Sequence, residues 1–488
     1  MNLTDIYSIL PLLVLIIWAM VLLLVDLAIP KDHKGWTALL ASLGMLVSMI
    51  ITLVQHGQVQ TAGGQAPLTF NHMIARDGFS DFLHILFLGA GLAGVALSYD
   101  YLKRMGISQG EYYVLLLTTI SGMMLMSQAA DLVVVFLALE LLSIPLYVMA
   151  GFARPRLDSE EAALKYFLLG TFASGFVLYG IAMLYGGTGH TDLQGIVVSV
   201  KTGLENSMLF MIGAGLLIVG FGFKIALVPF QMWTPDVYQG APSPVTGFMS
   251  VGAKAAGFAA LLRVFVSAFP ALSMDLYPVF WSLAALTMIV GNVVAIAQTN
   301  IKRMLAYSSI AHAGYILMAF VPYGQGQVAS NSIASALFYL VAYAFTSFGA
   351  WSVVIALEKA EGNGLQLNDY AGLGRKHRLL AIAMAIFMFS FTGLPPTLGF
   401  MGKFYLFRTA LEGGYVGLAI LGVLTSLVSA YYYLRVVVIM FMKEGEPDIR
   451  RDTWLGLTTA VAALGVVLLS LAPDSLFAWV LQAVLHIM

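Results

Sequence analysis

Residues 208–236, MLFMIGAGLLIVGFGFKIALVPFQMWTPD, decide the fold. The stretch opens as an apolar run of the kind that crosses a bilayer, for which about 20 such residues suffice. Yet it contains one lysine, Lys224, and two prolines, Pro229 and Pro235. The rest of the chain has the same character: 60% of its 488 residues are hydrophobic and only 10% are charged, where a soluble domain carries about 25% charged residues. The expected fold is therefore an all-α polytopic membrane protein.

Comparable apolar stretches begin near Asp5, Trp36, Phe79, Glu111, Asp131, Glu160 and Met208. Seven more begin near Ser243, Asp275, Arg303, Ala329, Arg378, Tyr415 and Thr453, which predicts fourteen transmembrane helices. An even number of spans puts both termini on one side. Lys and Arg crowd one set of alternate loops, from Lys31, Lys34, Lys103 and Arg104 through Lys302 and Arg303 to Arg450 and Arg451. The other set holds only Arg76 and Lys201. By the positive-inside rule the crowded loops are cytoplasmic, and both termini are expected on the non-cytoplasmic side. The first span has no basic segment before it and runs to Pro30, so a retained helix is expected and not a cleaved leader. The longest connections, His56–Gly78, Gly187–Ser207 and Glu358–His377, are expected as plain loops.

Two spans carry interruptions: the seventh at Pro229 and Pro235, and the twelfth at Gly393, Pro395 and Pro396 in FTGLPPTLGF. Proline lacks a backbone donor and clashes with the preceding turn, so broken helices are expected at both places. Paired broken helices in two halves of a chain mark inverted repeats around an ion path. The expected organisation is a three-helix segment over 1–110, a five-helix repeat over 111–268, a second inverted five-helix repeat over 269–443, and a C-terminal segment over 444–488.

Several functions are excluded or disfavoured by composition. The net charge of −1 and the lack of a long basic run leave no footprint for nucleic acid. Without a single cysteine, the chain can offer no thiolate ligands to an iron–sulfur cluster or a zinc ion. No metal site or resident cofactor is expected. Gly89, Gly91 and Gly94 in LFLGAGLAGVAL spell a dinucleotide fingerprint, but they lie inside a span with no strand before them, and helix packing is the expected reason.

The informative residues are charges in the wrong solvent. A lysine at a helix centre costs about 2.5 to 3.5 kcal/mol to insert, so several of them add up to a penalty of order 10 kcal/mol. Lys254 sits mid-span in MSVGAKAAGFAALL among small residues that let helices approach. Lys224 precedes the Pro229 break, and Lys403 follows the Pro395–Pro396 break. Lys165 lies near the cytoplasmic end of its span, where snorkelling to the interface is an equal reading. Glu140, in VVVFLALELLSIPLYVMAG, is the acid nearest the middle of any span, and its expected partner is Lys224 first and Lys165 second. A structural ion pair is the plain alternative for these charges. His312, in AYSSIAHAGYIL, is a possible relay because histidine titrates in the useful range, or else a hydrogen-bonded residue of the bundle. Arg263, Arg408 and Arg435 cannot release a proton and are expected as anchors or field-setting charges. Burial away from water disfavours the charged form of a lysine while a nearby carboxylate restores it. Proton carriage through Glu140, Lys224, Lys254 and Lys403, with Lys165 and His312 as possible relays, is the expected chemistry.

Five segments carry a resemblance: LALELLSIPLYVMAG around Glu140, EEAALKYFLLG around Lys165, GFGFKIALVPFQMWTPDVYQGAPSPVTGFMSVGAKAAGF around Lys224 and Lys254, IKRMLAYSSIAHAGYIL, and FSFTGLPPTLGFMGKFYLF around Lys403. With them the chain resembles, over essentially its whole length, the antiporter-like subunits of respiratory complex I (NADH-quinone oxidoreductase), and among them the subunit-N type. The subunit-M type is expected to carry a glutamate where this chain has Lys403, and the long lateral helix that ends the subunit-L type is not expected after His486. The resemblance implies a proton-pumping module with a central polar axis, in which Glu140 and Lys224 act as a coupled pair, Lys254 connects and Lys403 stands at the exit side. It further implies a bacterial inner membrane and other membrane-arm subunits as partners. Quinone, NADH, flavin and iron–sulfur clusters are then expected in those partners. Two other readings stay open at this point, a subunit of a multisubunit cation/proton antiporter and a structural membrane subunit without transport of its own.

Overall fold

The computed structural model describes residues 2–30, 33–61, 68–266, 269, 272–359, 362–450 and 452–484. Lys31, Arg451 and His486 lie outside the described residues. The chain begins with α1 (Leu3–Ser8), α2 (Leu10–Ala28), α3 (Gly35–Thr61) and α4 (Gly78–Arg104). There follow α5 (Glu111–Gln128), α6 (Leu132–Ala150), α7 (Leu157–Thr188), α8 (Leu193–Thr202), α9 (Ser207–Lys224) and α10 (Trp233–Gly240). The central span, Ser243–Val266, consists of α11 (Ser243–Phe248) and α12 (Lys254–Leu261), joined by a π-helical turn over Met249–Ala253 and closed by another over Leu262–Val266. The second half holds α13 (Ser273–Ile296), α14 (Ile301–Leu317), α15 (Gly326–Leu357), α16 (Leu373–Lys376), α17 (Arg378–Thr392), α18 (Leu398–Glu412), α19 (Val416–Met442), α20 (Thr453–Leu471) and α21 (Pro473–Gln482).

The helix starts follow local chemistry. Asp77, Asp131, Asp192, Asn206, Asn300 and Thr397 each accept a backbone N–H of the first turn with their side chains. Short polar side chains at this position satisfy donors that have no partner within the helix. Leu24 on α2, Phe172 on α7, Leu427 on α19 and Leu464 on α20 are exposed, as befits faces turned to hydrocarbon.

Among the described residues, eleven helices are long and apolar enough to cross a membrane: α2, α3, α4, α6, α7, α9, the central span, α13, α15, α19 and α20. The chain is a multi-pass helical membrane protein. The three other predicted spans fall on α5, α14 and the pair α17 and α18. At 17 residues α14 is short, and α17 and α18 have 15 each. Both α5 and α14 are largely buried by neighbouring helices. A helix surrounded by protein has less need of an apolar surface than one facing lipid, which is why these helices carry Ser, Thr, Tyr and His. The central span is buried along its whole length, so it forms the axis of the bundle.

Some expectations need correction. The connection Gly187–Ser207 is not a plain loop, since it contains the ten-residue α8, capped by Asp192. Glu358–His377 includes the short helix α16. Helix α9 already ends at Lys224, before Pro229, and Pro235 lies in the first turn of α10. There its missing N–H has no intrahelical partner to lose, so Pro235 starts a helix and does not break one. Lys302 is no loop residue: it is buried in the first turn of α14 and donates to the carbonyl of Ala241 at 2.7 Å. Within the glycine fingerprint Gly91 and Gly94 are packing positions, since a Cβ at Gly91 would meet Ile120 at 2.3 Å and one at Gly94 would meet Phe248 at 3.3 Å, whereas Gly89 has no neighbour within 4 Å.

Candidate functional site

Lys224, Lys254 and Lys403 are 5%, 3% and 2% exposed, and none of the three forms an ion pair among the described residues. Each is held by neutral oxygen atoms.

Lys224 is the last residue of α9. Its Nζ donates to Ser143 Oγ on α6 at 2.8 Å and to Tyr166 Oη on α7 at 3.3 Å. Tyr166 is fixed by stacking on Trp233 of α10, with ring centroids 4.6 Å apart. Trp233 in turn donates its indole N–H to the carbonyl of Phe223 at 2.9 Å, in the last turn of α9. The interruption at Lys224 is thereby built into the site.

Glu140 does not pair directly with Lys224. Its Oε1 accepts from Ser174 of α7 at 2.5 Å, and the side chain is half-buried. Ser143, the partner of Lys224, lies three residues along α6 from Glu140 and so on the same helix face. Lys165 pairs with Glu161 at 2.7 Å and Asp236 at 2.8 Å, and 41% of its side chain is exposed. Asp236 also holds Arg303 at 2.7 Å. The expectation of Lys165 as second partner of Glu140 is corrected, because α7 begins at Leu157 and its first turns reach the interface, where Asp236 is the nearer anion.

Lys254 directly follows the π-helical turn. Its Nζ donates to the carbonyl of Ser309 on α14 at 2.5 Å and also to the Ser309 hydroxyl. It is joined to the Lys224 region by packing: a Cβ on Gly257, three residues after Lys254, would lie 3.5 Å from Cγ of Lys224. The two lysine stems thus share one face of α12.

From Ser309 a stripe of α14 at three-residue spacing leads to the third lysine. His312 bonds to Tyr339 Oη through Nδ1 at 2.6 Å and to Tyr433 Oη through Nε2 at 3.0 Å, and Tyr433 also bonds Ser308. Tyr315 presents its ring to Lys403, whose Nζ is 4.7 Å from the ring centroid. Lys403 on α18 donates to the carbonyls of Phe391 at 2.9 Å and Thr392 at 3.0 Å, and to Ser426 Oγ at 2.7 Å. The two carbonyls end α17, which terminates because Gly393 adopts φ +84°. Such carbonyls carry the negative end of the helix dipole, a fitting seat for an amine. Sequence reasoning missed Ser143, Tyr166, Ser309, Tyr339, Tyr433 and Ser426, all neutral. The only signal for them was hydroxyl groups within spans, and Ser and Thr also satisfy their own helix backbone.

The arginines separate. Arg263 is fully buried, with Nη1 and Nη2 at 2.5 and 3.0 Å from the carboxylate of Asp77 and Nη2 at 2.5 Å from the Ser127 carbonyl. It is anchored by its counter-ion and a backbone carbonyl. Arg435 donates to the carbonyls of Ile296 and Gln298, and Arg408 pairs with Glu412 near the surface. A cavity of about 1060 Å³ lies away from this axis, between α3, α4, α15 and α20, with an almost wholly apolar lining.

Geometry defines a class: a helical membrane protein with a chain of buried amines and hydroxyls along its axis, interrupted by helix ends. Comparison with known proteins agrees. Residues 129–429 match the family described as NADH:quinone oxidoreductase/Mrp antiporter, TM. NADH-quinone oxidoreductase subunit N of Chloroflexus aggregans is 47% identical over 482 residues, covering 98% of this chain and 96% of that protein. In the structure of respiratory complex I from Thermus thermophilus with bound Aureothin, a chain 35% identical superposes with a TM-score of 0.79, covering 96% of this chain and 98% of that one. A chain of the Mrp complex from Dietzia sp. DQ12-45-1b shares the fold, with a TM-score of 0.84 at 18% identity over 99% of this chain and 97% of that one. This chain belongs to the antiporter-like membrane subunits of NADH-quinone oxidoreductase, in the subunit N family.

Proposed function

We propose that this chain is a proton-translocating membrane-arm subunit that moves protons along Glu140, Lys224, Lys254, His312 and Lys403, driven by electron transfer in partner subunits. The observation that carries the reading is the set of three buried lysines held by neutral oxygens and joined through one face of α12 and one stripe of α14. A lysine whose neighbours are hydroxyls and carbonyls can give up its proton without leaving an unpaired carboxylate behind. Ser143 and Glu140 share one face of α6 and Lys224 touches the first of them, so a small rotation of α6 relative to α9 exchanges a hydroxyl contact for an ion pair. That exchange is the switch, and it moves the equilibrium only as far as the two arrangements differ in stability.

In this reading the breaks after Lys224 and after Thr392 are the paired interruptions of two inverted five-helix repeats, within a bundle of fourteen spans divided at about residues 110, 268 and 443. The likeness of the two sites supports it: one lysine ends α9, and the other closes the end of α17. Both termini face away from the cytoplasm of a bacterial inner membrane. Quinone, NADH, flavin and iron–sulfur chemistry belong to the partner subunits. A sodium site of the cation/proton antiporter kind needs several charged or carbonyl oxygens converging on one point, whereas here the oxygens converge on amines.

The test is acidification by the assembled complex in sealed vesicles with Lys224→Ala, Lys254→Ala and Glu140→Gln, measured beside electron transfer. Each variant is expected to lower the number of protons moved per electron. Undiminished pumping by a fully assembled complex overturns the proposal.

A further inference from the structure

The cavity away from the lysine axis is a slot lined by α3, α4, α15 and α20. Along α4 its lining runs from Phe82 to Tyr99, a rise of about 25 Å and so most of the thickness of a bilayer's hydrocarbon. Rings join its walls at both ends. Tyr99 meets Trp454 of α20 with centroids 6.4 Å apart, and Phe82 meets Trp479 of α21 at 4.8 Å. Between these pairs the slot is open sideways, where Leu43 on α3 and Val461 on α20 are exposed. Gly89, the member of the glycine fingerprint that packs on nothing, lies in this wall, and a Cβ there would meet no atom within 4 Å.

The lining decides what fits. Ser42 donates its hydroxyl to the Ala38 carbonyl and Thr458 to the Trp454 carbonyl, each at 2.9 Å, so both are satisfied within their own helices and offer an occupant no donor. Hydrocarbon suits such walls. A spanning helix of a partner is about 10 to 12 Å across and runs on through both headgroup regions, which the ring pairs at the two ends obstruct. Flexible acyl chains enter from the open side and need neither end. Tyr and Trp mark the headgroup level of a bilayer, and Lys103 follows Tyr99 by one turn on the same face of α4. It is exposed and forms no ion pair among the described residues. Of the carboxylates beside it, Asp452 is taken by Arg104 at 3.2 Å, and Asp100 closes no ion pair with it. The Lys103 ammonium is thus available to a phosphate.

We propose that this slot is a binding site for a phospholipid, which lays its acyl chains between α4 and α20 and sets its phosphate at Lys103. An empty slot would leave its lining without contacts on one side, and within a bilayer such packing is what holds apolar surfaces together. The lipid fills the space behind α15, whose other faces hold His312 through Tyr339 at 2.6 Å and Ser250 through Ser347 at 2.9 Å. It braces a helix of the lysine axis from outside and takes no part in proton transfer, so the inference stands apart from the proton-path reading.

The assembled complex tests this in vesicles that contain phosphatidylglycerol with a photoreactive group on its acyl chain. The complex is extracted, washed in detergent to remove exchanging lipid and illuminated, and the labelled residues are mapped by peptide mass spectrometry. Label is expected on the α4 and α20 residues of the slot. Gly89→Leu with Ala93→Leu fills the slot from two lining positions one turn apart, and the label there is expected to fall several-fold with subunit composition and electron transfer unchanged. Lys103→Glu is expected to lower it as well, by repelling the phosphate, and an unchanged label in that variant overturns the phosphate seat. Label that persists in the filled variant overturns the site, and so does a slot cross-linked to another subunit, which assigns it to a partner helix. Should the filled variant fail to assemble, the unsubstituted complex decides alone: slot label no stronger than that at exposed Leu427 of α19 overturns the site.

Discussion

Lys254 meets two atoms of a single residue, the carbonyl and the hydroxyl of Ser309, across the interface between the central span and α14. The carbonyl is part of the helix backbone and survives any substitution, whereas the hydroxyl can be removed. Ser309→Ala is therefore expected to be milder than Lys254→Ala. A hydrogen bond to a charged group contributes about 1.5 to 3 kcal/mol, which corresponds to a slowing of roughly 10- to 100-fold in a step that depends on it. Vesicle acidification for the two variants, compared at equal electron-transfer rate, checks the order.

Gly393 is a second point of control. Its φ of +84° lies in the left-handed region, and a Cβ there would sit 2.9 Å from Cδ of Lys403. Gly393→Ala should cost about 1 to 2 kcal/mol from the backbone alone, and it should also push the Lys403 stem away from the carbonyls of Phe391 and Thr392. Thermal unfolding of the purified complex reads the first effect and proton pumping the second.

His312 separates packing from proton transfer. In His312→Phe, Tyr433 keeps Ser308 as a partner, whereas Tyr339 loses the only hydrogen bond shown for its hydroxyl. An orphaned buried hydroxyl costs about 1 to 3 kcal/mol. The double variant His312→Phe with Tyr339→Phe is accordingly expected to recover part of the lost stability, as a double-mutant cycle measures. If His312 relays protons, pumping will not recover with it.

The Asp77–Arg263 pair gives a dependence on pH. Burial by itself raises the Asp77 carboxyl, but the adjacent guanidinium and its hydrogen bonds outweigh this and hold Asp77 below the usual carboxylate range. A depressed carboxylate contributes stability above its unfolded pKa of about 3.9, and that contribution is lost as pH falls through the lower folded value. Asp77→Asn leaves Arg263 buried without its counter-ion and should destabilise the structure near neutral pH by roughly 3 to 5 kcal/mol. The difference between variant and unsubstituted chain should shrink in strong acid, as thermal unfolding at a series of pH values will show.

How much was legible beforehand differs from residue to residue. Lys224, Lys254 and Lys403 stood out because a charge in an apolar run has no cheap explanation, and the Gly393 break was marked by glycine and proline. Lys302 was misplaced because sequence position near a loop says nothing about which way a side chain turns. Pro235 was overvalued because its effect depends on its position within a helix, and the helix it starts was not foreseen. Ser143 and Ser309 were invisible since hydroxyls are common in spans, and only the neighbouring helix turns them into partners of an amine.

By itself the sequence determined the solvent, the helical class and the identity of the buried amines, because hydrophobic length and charge are properties of local composition. Tertiary structure alone decided which oxygen each amine touches. It gave Glu140 to Ser174, Lys224 to Ser143 and Lys165 to Asp236. The physical reason is that hydrogen bonds act over about 3 Å, and contact at that range between helices far apart in the chain is set by how they pack.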